Sequence, residues 1–245
     1  MLTFDSISEI GSRENNEDSF MIARKNNAII VAVADGLGGH GRGEVASATV
    51  IHKLKEYFDN REISENSGLI EFLQGAITFA QKELMVKQAK LSAKNEMKTT
   101  LVLLTVAHDC LCWGHVGDSR LYAFKNGRLA ERTLDHSIPQ MLVLSKEISE
   151  RKIRHHPQRN MLLRVLGVEW EKPQYAISEV KNVSDYDALL ICSDGFWELI
   201  SEREMCKYLR KSKTVHEWLQ RMTEKVQKNG RVSDMDNYTA IAIWM

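Results

Sequence analysis

Thr99–Ala107, TTLVLLTVA, runs into Leu111–Asp118, LCWGHVGD, across His108-Asp109-Cys110. Both halves are short apolar runs rich in strand-forming residues, and the gap between them is of hairpin length. Directly beyond, RLYAFKNGRLAERT (Arg120–Thr133) turns at Asn126-Gly127, the strongest short-range hairpin signal there is. Upstream, Asn26–Asp35, NNAIIVAVAD, is opened by turn residues and closed by Asp-Gly; it is too short for a buried helix and reads as a buried strand. Between this strand and the hairpins the period changes. Ala46, Val50, Leu54 and Phe58 make a one-sided helix over Glu44–Phe58, and Leu69, Leu73, Ala76, Ile77, Ala80 and Leu84 make another from Leu69 to about Leu91. Downstream, residues 137–167 are mixed and polar, and DALLICSD ends a buried strand at Asp194. FWELISEREM then opens a helix, Val215, Trp218, Leu219, Met222 and Val226 mark a further one, and YTAIAIWM closes the chain as a strand. Antiparallel hairpins with helix pairs clustered between them predict a layered α+β sandwich rather than alternating β-α-β units.

With 245 residues and no Pro- or Gly/Ser-rich linker, the chain reads as one large domain, 1–245. Hydrophobic residues at 43% and charged residues at 27% argue against wholesale disorder. Lys+Arg 33 against Asp+Glu 33 leaves no basic excess, so nucleic acid is not an expected partner. The N-terminus, MLTFDSISEIGSREN, lacks a basic region followed by an apolar one, and no apolar run approaches the roughly 20 residues of a membrane span. Four cysteines are too few for a disulfide scaffold at this length, so a soluble, reduced, cytoplasmic protein is expected.

Three apolar strands finish alike, in VAVAD-Gly36, WGHVGD-Ser119 and LLICSD-Gly195. Asp236-Asn237 precedes the last strand, and Glu17-Asp18 sits in a polar loop near the start. Each Asp taken singly is read as opening a turn. Their repetition argues instead for carboxylates at strand mouths, desolvated and in need of a partner. Should they converge, two carboxylates about 4 Å apart repel by roughly 4 kcal/mol at an effective dielectric of 20, and a cluster of them needs divalent metal. The candidate donors are oxygens, which suit Mg²⁺ or Mn²⁺ rather than zinc. Gly36–Gly41, GLGGHG, fits a dinucleotide-binding pattern after a strand and before a helix. Asp35 would face the pyrophosphate with like charge, and a second helix stands where a β-α-β unit needs a strand. Covalent phosphoenzyme chemistry is unsupported too: Asp234-Met235-Asp236 has Tyr238 where Thr or Val should follow, and Cys192 has Glu198 where Cys-x5-Arg requires Arg.

Six segments together resemble the metal-dependent serine/threonine protein phosphatases, the PPM or type 2C family, in its bacterial form. They are GSRENNEDS (Gly11–Ser19), VADGLGGHGRGEVAS (Val33–Ser47), VGDSRLY (Val116–Tyr122), LDHS (Leu134–Ser137), CSDG (Cys192–Gly195) and DNYT (Asp236–Thr239). The resemblance implies a four-layer α-β-β-α sandwich, two packed antiparallel sheets flanked by helix pairs. It implies that Asp35 bridges two Mn²⁺ or Mg²⁺ ions, that Asp194 and Asp236 complete one, and that the Gly36 carbonyl, Glu17 and Asp18 serve the other. Asp118 matches the ligand of a third, weaker ion, Arg13 the phosphate-binding arginine, and Asn237 a supporting residue. The reaction implied is one-step hydrolysis of phosphoserine and phosphothreonine by metal-activated water, opposing a serine/threonine kinase; the oligomeric state stays open, with a monomer favoured.

The sequence departs from the family in places. Leu37 stands where animal-type members carry a general-acid His. His40 is three residues on, and a turn role for it, a metal-bound water as the acid, or no specific acid all remain open. Lys98 precedes Thr99-Thr100 where the family usually has Gly. Residues 145–160 match the variable flap; their basic residues (Arg151, Lys152, Arg154, His155, His156, Arg159) are read equally as meeting a phosphopeptide or as a solvated face. A catalytically silent member would be expected to lack a ligand Asp, and Asp35, Asp194 and Asp236 are all present.

Overall fold

The structure, a computed structural model, describes residues 2–38, 42–64, 68–93, 96–231 and 234–245. The chain opens with strands β1 (Thr3–Glu9), β2 (Asp18–Lys25) and β3 (Ala28–Leu37), then helices α1 (Gly43–Asp59) and α2 (Gly68–Lys90). Strands β4 (Lys98–Thr99), β5 (Leu101–Ala107), β6 (Cys110–Val116), β7 (Arg120–Lys125) and β8 (Arg128–Arg132) follow. Next come α3 (Ile138–Leu144), a 3-10 helix over Glu150–His155, β9 (Ala176–Ile177), β10 (Lys181–Asn182) and β11 (Ala188–Cys192). The chain finishes with α4 (Asp194–Trp197), α5 (Glu202–Leu209), α6 (Val215–Gly230) and β12 (Tyr238–Trp244).

The strands pair into two antiparallel sheets. One has the order β1-β12-β11-β7-β8; the other runs β10-β6-β5-β3-β2, with β4 added on β3 and β9 on β6. Strand alternation sorts the side chains into layers. Val31, Val33, Val102 and Leu104 meet Leu121, Leu189, Ile191, Ile241 and Ile243 between the sheets. Their neighbours Ala32, Ala34, Leu101 and Leu103 face the other way, onto Val50, Leu54, Leu73 and Ile77 of α1 and α2. On the opposite side, Leu190, Cys192, Ala240 and Ala242 pack under Met205 of α5 and Trp218, Met222 and Val226 of α6. Three apolar seams therefore separate four layers, α-β-β-α, as the motif resemblance implied. Small Ala residues on the helix-facing side of β3 and β12 let the helices lie close to the sheets.

The hairpins form where expected. His108 and Asp109 have φ of 52° and 58°, and Ala107 lies opposite Cys110, so the turn is the two-residue type I′ and Cys110 already belongs to β6. Asn126 and Gly127 repeat that geometry at 52° and 65°. Two readings need correction. Asp18 lies in no loop; it begins β2, directly opposite Asp35 on β3. FWELISEREM is not one helix start: α4 is a single turn, and α5 restarts behind Ser201, whose hydroxyl and Glu204 form a capping box.

Candidate functional site

The mouths of β3, β11 and β12 open at one end of the two sheets, onto a cavity of about 700 Å³. Asp35 and Gly36 reach it from β3, Asp194 from the start of α4, and Asp236 and Asn237 from the entry to β12. Arg13, Glu17 and Asp118 border it from loops. Asp18 is the exception: it stands behind the cavity wall, buried, with one carboxylate oxygen accepting from Ser193 Oγ at 2.7 Å. His40 lies outside the described residues.

Main-chain and side-chain bonds hold this arrangement. The Asp35 amide donates to Thr100 Oγ1 at 3.0 Å, and its carbonyl accepts from Thr100 N and Thr99 Oγ1, both at 2.8 Å. Thr100 Oγ1 also meets Ser119 Oγ at 2.7 Å, tying the Asp35 strand to the Asp118 loop. Lys98 pairs with Leu37 without disturbing this, despite replacing a glycine of the family motif. Asn237 is a staple: its Oδ1 accepts from the Glu17 amide at 2.8 Å, and its Nδ2 donates to the carbonyls of Ile10 and Asn15 at 2.8 and 2.9 Å. The N-terminal loop bearing Arg13 and Glu17 is thereby fastened to the last strand. Gly36 fits because a Cβ there would collide with the Gly43 carbonyl.

The electrostatics are those of acids crowded away from water. Burial first, then the charges of Asp18, Asp194, Asp118 and Asp236, push Asp35 well above the usual carboxylate range. Burial raises Asp18 to about 7 against the opposing hydrogen bond from Ser193. Asp194 is raised to about 6 by burial and by Asp236, offset in part by its interactions with the Asp35 carboxyl and the Gly195 main chain. Burial and Asp194 also raise Asp118, and burial with Glu44 raises Glu17. A buried carboxylate set that resists ionisation wants a cation. The residues present fit a hard one. The exposed donors are oxygens, and the buried Asp18 Oδ1 has no hydrogen-bond partner. Among the described residues, no three of His, Cys, Asp or Glu are drawn together tightly enough to hold an ion as they stand. Asp236 is turned to Arg13, whose Nε and Nη2 reach its two oxygens at 3.0 Å each.

Several wall residues carry no motif signal. Asn160 and Leu162 border the cavity from the end of the flap and just beyond it. Of the flap's basic residues, Arg159 pairs with Glu198 at 3.1 Å, while Arg154 turns inward and is spent on main-chain carbonyls and Glu202. Arg151 and Lys152 are exposed. The open alternatives for this segment thus divide residue by residue.

Comparison with known proteins agrees. The family model for protein phosphatase 2C matches residues 7–238. A serine/threonine phosphatase, stp, of Listeria monocytogenes serotype 4b is 34% identical over 233 residues, covering 94% of this chain and 90% of its own length. The crystal structure of serine/threonine phosphatase Stp1 from Staphylococcus aureus is similar at a TM-score of 0.91 and 29% identity, over 100% of this chain and 95% of that one. The catalytic domain of the serine/threonine phosphatase PstP, in complex with 2 manganese ions, is similar at a TM-score of 0.80 and 27% identity, over 99% of this chain and 97% of that one. Among the described residues, no helix is long and apolar enough to cross a membrane.

Proposed function

We propose that the acid-lined cavity is the catalytic site of a metal-dependent phosphatase, because the chain belongs to the protein phosphatase 2C family and its strand-end acids border one cavity. The protein is a serine/threonine protein phosphatase: water adds to phosphorus, the bond to the serine or threonine oxygen breaks, and that oxygen takes up a proton. Asp35, Asp194, Asp236, Glu17 and the Gly36 carbonyl would hold a pair of Mn²⁺ or Mg²⁺ ions, Asp18 supporting them from behind, and Asp118 a third and weaker one. Bound there, the metals supply Lewis-acid stabilisation of the phosphoryl oxygens and activation of the attacking water. Arg13 orients the phosphoryl group, its planar fork matching two phosphate oxygens. Asn237 keeps Arg13 and Glu17 in place by fastening their loop. Residues 1–245 form one catalytic unit acting in the cytoplasm, as a monomer, on phosphoproteins made by a cognate serine/threonine kinase.

The observation carrying this reading is the convergence of Asp35, Asp194 and Asp236, from β3, the start of α4 and the entry to β12, on the wall of one cavity. Turnover of a phosphothreonine peptide with Mn²⁺, with and without chelator, in wild type and Asp194→Asn, tests it. Activity that survives both chelation and substitution refutes it.

A further inference from the structure

Trp197, the last residue of α4, is buried, and its indole N–H donates to the main-chain carbonyl of Asp118 at 3.0 Å. That carbonyl lies in the connection between β6, which ends at Val116, and β7, which begins at Arg120. Gly117 sits there at φ +98°, so sheet pairing does not set the path of the chain. Fixing the Asp118 carbonyl fixes its peptide plane and with it the direction in which the carboxylate leaves the main chain. Two guanidinium groups lie over the indole ring, at 3.4 Å (Arg120) and 5.6 Å (Arg154) from its centroid. Arg120 is itself immobilised, donating to both Asp135 oxygens at 2.7 and 2.6 Å and to Tyr122 Oη at 2.9 Å. Arg154 belongs to the flap, and donates to the carbonyls of Trp197 and Ile200 at 3.1 and 3.2 Å. The same segment ends at Asn160 on the cavity wall.

We propose that Trp197 is a positioning residue for Asp118, and that Arg154 makes its hold depend on how the flap is docked. The inference rests on the reading of Asp118 as ligand of the weaker metal. The indole N–H bonds the Asp118 loop, whereas the α4 turn that Trp197 shares with Asp194 is held by main-chain bonds, Trp197 N to the Ser193 carbonyl and Glu198 N to the Asp194 carbonyl, which a phenylalanine keeps. The weaker ion is therefore the one expected to feel loss of the donor.

Calorimetric Mn²⁺ titration of the full chain, as wild type, Asp118→Asn, Trp197→Phe and Arg154→Gln, separates the possibilities. A Mg²⁺ titration followed by the indole ¹⁵N–¹H signal of Trp197 accompanies it. Asp118→Asn is expected to remove the weak binding phase. Trp197→Phe keeps the ring but loses the donor, and is expected to weaken that phase roughly 10- to 100-fold with the tight phase unchanged, as loss of a ligand-orienting partner does. Arg154→Gln should weaken it in the same direction by less, and the wild-type Trp197 signal should move during the weak phase. A merely structural Trp197 would lower the melting temperature of the chelated protein and leave the weak phase alone. If Asp118→Asn removes the weak phase while Trp197→Phe and Arg154→Gln leave it unchanged, the inference falls and the reading of Asp118 stands. If Asp118→Asn leaves the titration intact, that reading fails and the inference with it. Should Trp197→Phe not fold, Arg154→Gln and the indole signal decide by the same criteria.

Discussion

Arg13 and Asp236, 223 positions apart in the chain, meet through paired hydrogen bonds of 3.0 Å, Nε to Oδ1 and Nη2 to Oδ2. Each side chain is nearly half exposed, at 48% and 43%. The proposed phosphate-binding residue therefore occupies a proposed metal ligand. Metal on Asp236, as proposed, would free the guanidinium for the phosphoryl group. An ion pair this exposed is worth about 0–1 kcal/mol. Arg13→Ala is accordingly expected to leave the melting temperature of chelated protein almost unchanged, while lowering kcat/KM for a phosphothreonine peptide by about 10²-fold, the scale for loss of one charge-stabilising donor. Arg13→Lys should recover little, since a point charge cannot span two oxygens. Steady-state kinetics beside thermal melts check both halves.

The buried acids give the metal-free protein a definite pH dependence. An unfolded Asp loses its proton near pH 3.9, whereas native Asp18 does so at about 7 and Asp194 at about 6. Between those values the native state holds protons that the unfolded state has released, so the stability contributed by Asp18 and Asp194 falls as pH rises and is lost above about pH 7. Melting of chelated protein from about pH 4 to pH 8 should show this decline. Added Mn²⁺ should raise the melting temperature more at about pH 8 than at about pH 5, because at the lower pH it must displace protons. A chelated protein that gains stability across this window would contradict the assignment.

The same crowding sets stability against activity at Asp35. Its carboxylate is opposed by four other acids, so Asp35→Asn removes repulsion while keeping shape. We expect the chelated variant to melt several degrees higher than wild type, at about 2–4 °C per kcal/mol for a chain of this size. Activity and Mn²⁺-induced stabilisation should both be lost. Calorimetric melts with and without Mn²⁺, beside turnover of a phosphothreonine peptide, measure all three.

What was legible in the chain, and what was not, follows from the range of the forces involved. The acids at the ends of β3 and β11 and before β12 announce themselves because an apolar run stops at a charge, a local event. Leu190, Ile191 and Cys192 declare a buried strand by composition alone. Strands β1 and β2 were not read as strands, because each is only partly buried and edges a sheet, and their half-polar alternation carries little contrast. Asp18 was placed in a loop for the same reason. Arg154 was indistinguishable from its basic neighbours, since its partners Trp197, Ile200 and Glu202 lie more than forty positions away. The roles of Thr99 and Thr100 were hidden similarly, for a strand threonine looks the same whether or not it pins another strand's aspartate.

Gly38 offers a test of Glu17 that leaves the carboxylate in place. The Glu17 carboxylate lies against Gly38, where a built Cβ would overlap both Glu17 oxygens. The colliding group is the far end of a flexible side chain, so Gly38→Ala can fold by displacing Glu17 rather than main chain. Only the metal served by Glu17 should respond. The variant is expected to melt within about 2 °C of wild type when chelated, because surface substitutions without core contacts stay within about 0.5 kcal/mol. It should need roughly tenfold more Mn²⁺ for half-maximal activity, as misplacing one ligand does. Glu17→Gln should reproduce the metal requirement, and combining the two should add little, since both act on the same donor. A Gly38→Ala enzyme with wild-type metal requirement would separate Glu17 from the metal site.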